Sequence, residues 1–175
     1  MKTNRITRRN FLKSSLVTAA ACTLSPRSWA QVVGANDNVR VAVVGLNGRG
    51  EAHLSEFRSM KGVRVAGLCD VDLQVLEGRA RTFDAVEKYQ DIRKLLENKG
   101  IDAISVATPN HWHSLLTIWA CQAGKDVYVE KPCSHNIFEG RKSVEAARKY
   151  NRIVQHGTQS RSTDFGKMNA FVKSG

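Results

Sequence analysis

The sequence predicts an α/β fold in which a doubly wound parallel sheet carries helices on both faces. From Asn38 onward, short apolar runs rich in β-branched residues alternate with amphipathic helical patterns. This alternation is typical of right-handed βαβ units. The chain has 175 residues, of which 42% are hydrophobic, and that is enough to bury the core of one domain.

The expected strands are short runs that lie between helical segments. They cover residues 39–44, 63–69, 86–89, 103–107, 127–129 and 153–155. The expected helices cover residues 51–60, the segment from Leu73 to Phe83, the segment that Asp91 caps, the segment around Leu115 and Trp119, and the segment that begins at Asn136. Glu139, three residues after Asn136, completes a capping-box pattern.

The first thirty residues have the composition of an export signal. Thr7-Arg8-Arg9-Asn10-Phe11-Leu12-Lys13 resembles the twin-arginine motif. The apolar stretch 16–24 is too short for a stable membrane anchor, and small residues before and at Ala30 predict cleavage after it. A basic tail and lipidation at Cys22 are the weaker alternatives. We therefore predict a twin-arginine signal peptide over 1–30, a linker over 31–37 and export to the periplasm or beyond.

The net charge of +11 belongs largely to that signal. The first thirty residues carry six of the 27 basic side chains and none of the 16 acidic ones, so the remainder has a net charge of +5. The remaining excess is spread over helical stretches, which disfavours nucleic-acid binding. Cys69, Cys121 and Cys133 are expected to be buried thiols, and no metal-ligand cluster accompanies them.

A glycine-rich loop follows the first strand. Val43-Val44-Gly45-Leu46-Asn47-Gly48-Arg49-Gly50 approximates the Rossmann fingerprint, whose three glycines permit a tight turn, approach of the backbone to a pyrophosphate and close packing of helix on strand. Asn47 stands at the middle position, where Asn tolerates left-handed backbone, and Gly48 could serve there instead. The first-turn amides of the next helix would face the phosphates. We predict cofactor contacts at Gly45, Asn47, Gly48, Arg49 and Gly50.

Asp70 ends the second strand, 25 positions after Gly45. An acid near this spacing binds the ribose hydroxyls of a dinucleotide, and its charge would repel a 2′-phosphate. The sequence therefore favours NAD over NADP. Asp72 could share this role, although its position is more typical of a helix N-cap. The alternative for Asp70 is a turn residue at a strand end.

Polar motifs also follow the fourth and fifth strands. Thr108-Pro109-Asn110-His111-Trp112-His113 and Glu130-Lys131-Pro132 should both lie at the carboxyl edge, where open parallel sheets bind ligands. A partly desolvated lysine can exchange a proton with a substrate hydroxyl. His113 could bind substrate or hold the loop.

These residues together resemble the glucose–fructose oxidoreductase, inositol dehydrogenase and rhizopine catabolism (Gfo/Idh/MocA) family, over essentially all of residues 38–160. The resemblance rests on the glycine loop, Asp70, Thr108-Pro109-Asn110 with His113, and above all Glu130-Lys131-Pro132. It implies a Rossmann domain over 38–157 followed by an α/β substrate domain. That second domain is largely absent here, since 158–175 provides only its start, and we expect a fragment or a truncated reading frame.

The resemblance also implies roles for individual residues. Lys131 would be the catalytic or substrate-orienting lysine, with His113 as a second catalytic candidate. Cofactor contacts would come from Thr108, Pro109, Asn110, Glu130 and Lys131 as well as the glycine loop. The implied reaction is hydride transfer between NAD and a sugar or polyol hydroxyl.

Two other functions stay open. Some exported relatives cleave glycosides by transient oxidation on bound NAD, and such redox-neutral chemistry suits an exported enzyme that has no free nicotinamide pool. Those glycosidases tend to depart from an intact Glu-Lys-Pro motif, which is present here. The third hypothesis is a non-catalytic NAD-binding domain. The expected partners are a small sugar or polyol and the export machinery, and a homo-oligomer of a full-length protein is left open.

Overall fold

A six-stranded, wholly parallel sheet organises the protein, for which a computed structural model describes residues 38–159 and Val172. The strands are β1 (Val39–Val44), β2 (Val63–Cys69), β3 (Glu87–Tyr89), β4 (Ala103–Val106), β5 (Asp126–Val129) and β6 (Val154–His156). The helices are α1 (Arg49–Ser59), α2 (Leu73–Ala80), α3 (Ile92–Glu97), α4 (His113–Gln122) and α5 (Ile137–Lys149), with a 3-10 turn at Asn110–Trp112.

The strand order is β3-β2-β1-β4-β5-β6. The chain moves outward from β1 through β2 to β3 and then returns to place β4 on the other side of β1. Loops after β1 and β4 therefore diverge, which opens a crevice at the carboxyl edge between these strands. The predicted doubly wound parallel sheet is confirmed.

The core lies on both faces of the sheet because successive strand residues point in opposite directions. Ala42 and Val44 belong to one buried cluster together with Ile104, Leu116 and other side chains. Val43 belongs to a second cluster beneath α1 and α2. β1 is thus covered on both sides, which explains its continuous apolar sequence.

Three helices begin at N-cap residues that the sequence indicates. Asp72 accepts from the amides of Gln74 and Val75 at the start of α2, so the N-cap interpretation of Asp72 describes its contacts. Asp91 caps α3. Asn136 Oδ1 accepts from the amide of Glu139, and the Glu139 carboxylate accepts in return from the amide of His135.

Several predicted boundaries were wrong by a few residues. Ala107 follows β4 and is not part of it, and β6 runs from Val154 to His156 instead of 153–155. The 3-10 turn follows Pro109 and precedes α4, so the α-helix begins only at His113. Cys133 is only half-buried, in contrast to Cys69 and Cys121, because it lies in the loop between β5 and α5 and packs against the edge of the buried cluster.

The signal peptide predicted over 1–30, the linker over 31–37 and most of the segment 158–175 lie outside the described residues. Within that segment, Val172 is helical and exposed. Among the residues that are described, no helix has the length and apolar character needed to cross a membrane.

Candidate functional site

A cleft of about 770 Å³ opens at the carboxyl edge of the sheet. The residues that line it come from the glycine loop after β1, the end of β2, the start of α3 and the segment that follows β4. The cleft is lined by Gly45, Asp70 and Pro109 among others. Gly45 and Pro109 are 64 positions apart in the sequence. The volume suits a ligand of cofactor size.

Two glycines allow the loop to turn where the chain is crowded. Gly45 has a φ of +82°, and a Cβ on it would lie 2.8 Å from the carbonyl oxygen of Ala107. A Cβ on Gly50 would lie 1.8 Å from the carbonyl oxygen of Gly45. No side chain larger than hydrogen fits at either position without movement of backbone, so helix α1 packs directly against the end of β1.

Gly48, like Gly45, has a positive φ, at +51°. Asn47 does not have a positive φ, and its carbonyl oxygen accepts from the amide of Gly50. Of the two alternatives for the middle position, the geometry therefore favours Gly48. Gly48 is also the N-cap of α1 and provides no side-chain cap, so the first-turn amides of the helix have no side-chain acceptor at that position.

The side chain of Asp70 links the end of β2 to the glycine loop by hydrogen bonding. Its Oδ2 accepts from the amide of Leu46 at 2.8 Å, and its Oδ1 accepts from the amide of Asp72 at 3.0 Å. Each carboxylate oxygen can accept more than one hydrogen bond, and Asp70 is half-exposed on the cleft. Asp70 can therefore order the loop and still accept from ligand hydroxyls.

Asp91 and Arg93 form an ion pair on the wall of the cleft. Arg93 Nη2 and Asp91 Oδ2 are 2.6 Å apart, and Arg93 Nε also contacts both carboxylate oxygens. The hydrogen bonds from Arg93 lower the pKa of Asp91 to about 2. The Arg93 guanidinium is thus already paired with the Asp91 carboxylate, which weakens its attraction for a phosphate.

The segment after β4 contributes the opposite wall of the cleft. Thr108, Pro109 and Trp112 line it, while Asn110 opens the 3-10 turn and is exposed. The Oγ1 of Thr108 is buried and has no hydrogen-bond partner within the described part of the chain. A buried hydroxyl without a partner costs free energy, so Thr108 is suited to bind a polar group of a ligand.

His113 joins the two loops that follow β4 and β5. It is 2% exposed, its Nδ1 lies 2.6 Å from the carbonyl oxygen of Pro132, and its Nε2 lies 2.8 Å from the carbonyl oxygen of Thr108. Both ring nitrogens are engaged by the protein. Of the two roles considered for His113, this geometry favours holding the loop over contact with a substrate.

Glu130 and Lys131 point into different surroundings. Glu130 is 3% exposed, whereas Lys131 is exposed and precedes a cis peptide bond to Pro132. Neither lines the cleft described above. Burial alone would raise the pKa of Glu130, but hydrogen bonds from Arg49, His53 and the Lys131 amide outweigh it and hold that pKa below its usual value.

Arg49 is directed toward Glu130. Its Nε donates to Glu130 Oε1 at 2.8 Å, and its side chain is 47% exposed. The structure thus joins the glycine loop to the Glu-Lys-Pro motif through Arg49, a link that the sequence motifs alone do not indicate.

Sequence reasoning missed two buried polar residues, His53 and Ser105, which extend this link. The only available signal was a histidine beside Leu54 on the apolar side of α1 and a serine inside a buried strand. Within residues 38–159 and Val172, no group of three or more His, Cys, Asp or Glu side chains could hold a metal ion.

Comparisons with known proteins agree with this geometry. Residues 39–158 match the model of GFO_IDH_MocA, an oxidoreductase family with an NAD-binding Rossmann fold. Residues 5–25 match the twin-arginine translocation signal sequence, which indicates export by that pathway. Both the resemblance and the export signal inferred from the sequence are confirmed.

This chain aligns with only part of the length of each relative. The glycosyl hydrolase family 109 protein 2 of Shewanella sp. strain ANA-3 is 33% identical over an alignment of 161 residues that covers 75% of this chain and 35% of that protein. The myo-inositol 2-dehydrogenase of Lactobacillus plantarum has a TM-score of 0.72 at 27% identity and is matched over 79% of this chain and 42% of its own.

An NAD binding oxidoreductase from Klebsiella pneumoniae has a TM-score of 0.67 at 26% identity, over 72% of this chain and 36% of its own. The present chain therefore spans less than half the length of the proteins that it matches here.

Proposed function

Because the chain belongs to the oxidoreductase family whose NAD-binding Rossmann fold matches residues 39–158, we propose that it is the cofactor domain of an exported sugar or polyol oxidoreductase. The proposed organisation is a signal peptide over 1–30, a linker over 31–37, the cofactor domain over 38–157 and the start of a substrate domain over 158–175. The observation that carries the proposal is the cleft shared by the glycine loop, Asp70 and the segment after β4.

The residues present in the cleft fit a dinucleotide. Gly48 leaves open space beside the N-terminus of α1, where backbone amides favour a pyrophosphate. Asp70 supplies a carboxylate for ribose hydroxyls, and the buried Thr108 Oγ1 still needs a hydrogen-bond partner. We infer that NAD is preferred over NADP because Asp70 would repel a 2′-phosphate and Arg93 is already paired with Asp91.

The proposed chemistry divides between cofactor and chain. Bound NAD would supply the hydride acceptor. Lys131, which is exposed beside the fifth strand, would donate a hydrogen bond to the substrate hydroxyl or accept its proton. His113 would keep the loops that carry Thr108 and Lys131 at a fixed separation, since it contacts the carbonyl oxygens of Thr108 and Pro132.

A second candidate is an NAD-dependent glycoside hydrolase. It is favoured by the 33% identity to a protein named glycosyl hydrolase family 109 protein 2 and by the export signal. A reaction that returns its cofactor to the starting state needs no nicotinamide pool outside the cytoplasm. The intact Glu130-Lys131-Pro132 motif and the likeness to an inositol dehydrogenase favour the dehydrogenase. A non-catalytic NAD-binding domain is the third candidate.

The first experiment is a titration of the 175-residue chain with NAD, NADH and NADPH, followed by tryptophan fluorescence. Trp112 and Trp119 both line the cleft, so a dinucleotide should quench them. We expect NADH to bind and NADPH to bind at least about tenfold more weakly. Failure of every dinucleotide to bind would refute the proposal.

Lys131→Ala tests the role of the lysine. The variant should bind NADH within about threefold of the wild-type affinity, because Lys131 does not line the cleft. A much larger loss would make Lys131 a cofactor-binding residue.

Turnover then distinguishes the three functions. A dehydrogenase should produce NADH from NAD and a polyol, observed by near-ultraviolet absorbance. A redox-neutral hydrolase should release nitrophenol from a nitrophenyl glycoside with no net NADH. Tight NADH binding without either reaction, in the chain and in any longer product of the same open frame, would indicate a binding domain.

A further inference from the structure

Three buried side chains form a continuous hydrogen-bonded row behind the cleft. Ser105 Oγ lies 2.8 Å from His53 Nδ1, and His53 Nε2 lies 2.9 Å from Glu130 Oε1. Ser105 is fully buried, and His53 and Glu130 are 6% and 3% exposed. None of the three lines the cleft.

The order of residue types is that of a hydrolytic triad, but the burial is wrong for one. A nucleophile must reach a substrate, and Ser105 is in the middle of β4 with no exposed surface. The row therefore does not support nucleophilic catalysis by Ser105. Any functional effect of these three residues has to act through the neighbouring groups to which they are hydrogen-bonded.

The directions of the hydrogen bonds follow from chemistry. An ionised carboxylate can only accept, and hydrogen bonds keep the pKa of Glu130 below its usual value. His53 Nε2 therefore carries the proton and donates to Glu130. In the neutral ring Nδ1 then accepts from the Ser105 hydroxyl, so every polar atom along the row has a partner.

Glu130 connects this row to both functional loops. Arg49 and His53, one turn apart on α1, both donate to its Oε1. The amide of Lys131 donates to its Oε2 at 3.1 Å. The Arg49 contact is half-exposed, whereas the His53 contact is excluded from water, so the His53 contact is the less screened of the two.

We propose that His53 is a positioning residue that couples the glycine-loop end of α1 to the loop carrying Lys131. A displacement of α1 by a dinucleotide at its N-terminus moves His53, and Glu130 transmits this displacement to the Lys131 backbone. Cofactor binding and placement of the lysine are thereby linked. The inference rests on the proposed NAD-binding function and deepens it, because it assigns a role to His53, which does not line the cleft.

Two measurements on the 175-residue chain test the coupling. The first is the Kd for NADH from tryptophan quenching. The second is the acetylation rate of the Lys131 amine with trace acetic anhydride, measured by peptide mass spectrometry relative to exposed Lys61, with and without saturating NADH. We expect NADH to change the Lys131 rate by at least about threefold in the wild-type chain, whereas a purely structural His53 would not affect this response.

Three variants separate coupling from folding. His53→Leu removes the donor to Glu130, and we expect NADH affinity to fall by roughly tenfold and the response of Lys131 to NADH to disappear. His53→Gln retains an amide donor and should keep most of both. The matched control is Leu54→Val, the adjacent core residue that is 5% exposed; it should lower the thermal midpoint and leave both measurements unchanged.

The possible results are distinct. A folded His53→Leu variant with wild-type NADH affinity and a wild-type Lys131 response overturns the coupling. If His53→Leu does not fold, Ser105→Ala provides the test, because the His53 ring then loses the hydroxyl that fixes its orientation toward Glu130. A Lys131 response to NADH that is unchanged in that variant also overturns the coupling. Absence of NADH binding in the wild-type chain would instead refute the proposed function.

Discussion

Gly50→Ala should destabilise the domain because two backbone segments meet at this position. The new Cβ would lie 1.8 Å from the Gly45 carbonyl oxygen, and real Cβ contacts are essentially never below 3.0 Å. The start of α1 and the end of β1 must therefore separate by about 1.2 Å. Neither atom belongs to a flexible side chain that could rotate away.

The size of the effect follows from opposing terms. Overpacking of a filled interior costs about 1–3 kcal/mol, and a backbone clash belongs at or above the upper end. Alanine recovers about 1 kcal/mol through its higher helix propensity. The net loss is about 2 kcal/mol or more, which lowers the urea midpoint by about 1 M when the m-value is about 2 kcal/mol/M.

Urea unfolding followed by circular dichroism measures this loss, and Gly78→Ala is the matched control. Gly78 is an exposed glycine inside α2, and a Cβ on it would meet nothing within 4 Å. That variant should gain about 0.5–1 kcal/mol. Displacement of the α1 amides should also weaken NADH binding in Gly50→Ala by at least about tenfold. A Gly50→Ala chain as stable as the wild type, with unchanged NADH affinity, would refute the reasoning.

Three further predictions concern charge and burial. Asp70→Ser should narrow the preference for NADH over NADPH by about tenfold in fluorescence titrations, and an unchanged preference would remove Asp70 from cofactor selection. The pKa of Glu130 is lowered in the folded state, so its stabilisation is present above its ordinary value of 4.5 and is lost as the pH falls through the folded value. Glu130→Gln should therefore cost about 3 kcal/mol in urea unfolding at neutral pH and progressively less in acid; a difference that is constant with pH contradicts this. Burial first, and then the charges of Asp70 and Asp91, raise the pKa of the Cys69 thiol to about 12. Iodoacetamide at neutral pH should therefore alkylate half-buried Cys133 well before Cys69. Equal rates of alkylation in peptide mass spectra would be evidence against a buried environment for Cys69.

The elements and their order could be predicted from local sequence. Strand periodicity, the glycines after β1 and the capping residues Asp72, Asp91 and Asn136 act within a few residues of where they stand, so their consequences are visible locally. The parallel arrangement then places the loop after each strand at one edge. For this reason the sequence is sufficient to assign Gly45, Asp70 and Pro109 to one crevice.

Which side chains meet inside that frame depends on tertiary packing. His53 and Glu130 are 77 residues apart in the chain, and His53 and Ser105 are 52 apart. Their contacts depend on how α1 packs against the sheet and on the register of β4 and β5, which no local pattern encodes. Likewise, the left-handed backbone at Gly48 and the two carbonyl contacts of His113 follow from how the loops after β1, β4 and β5 pack. Local chemistry sets where the chain turns, whereas long-range packing sets what each buried polar group binds.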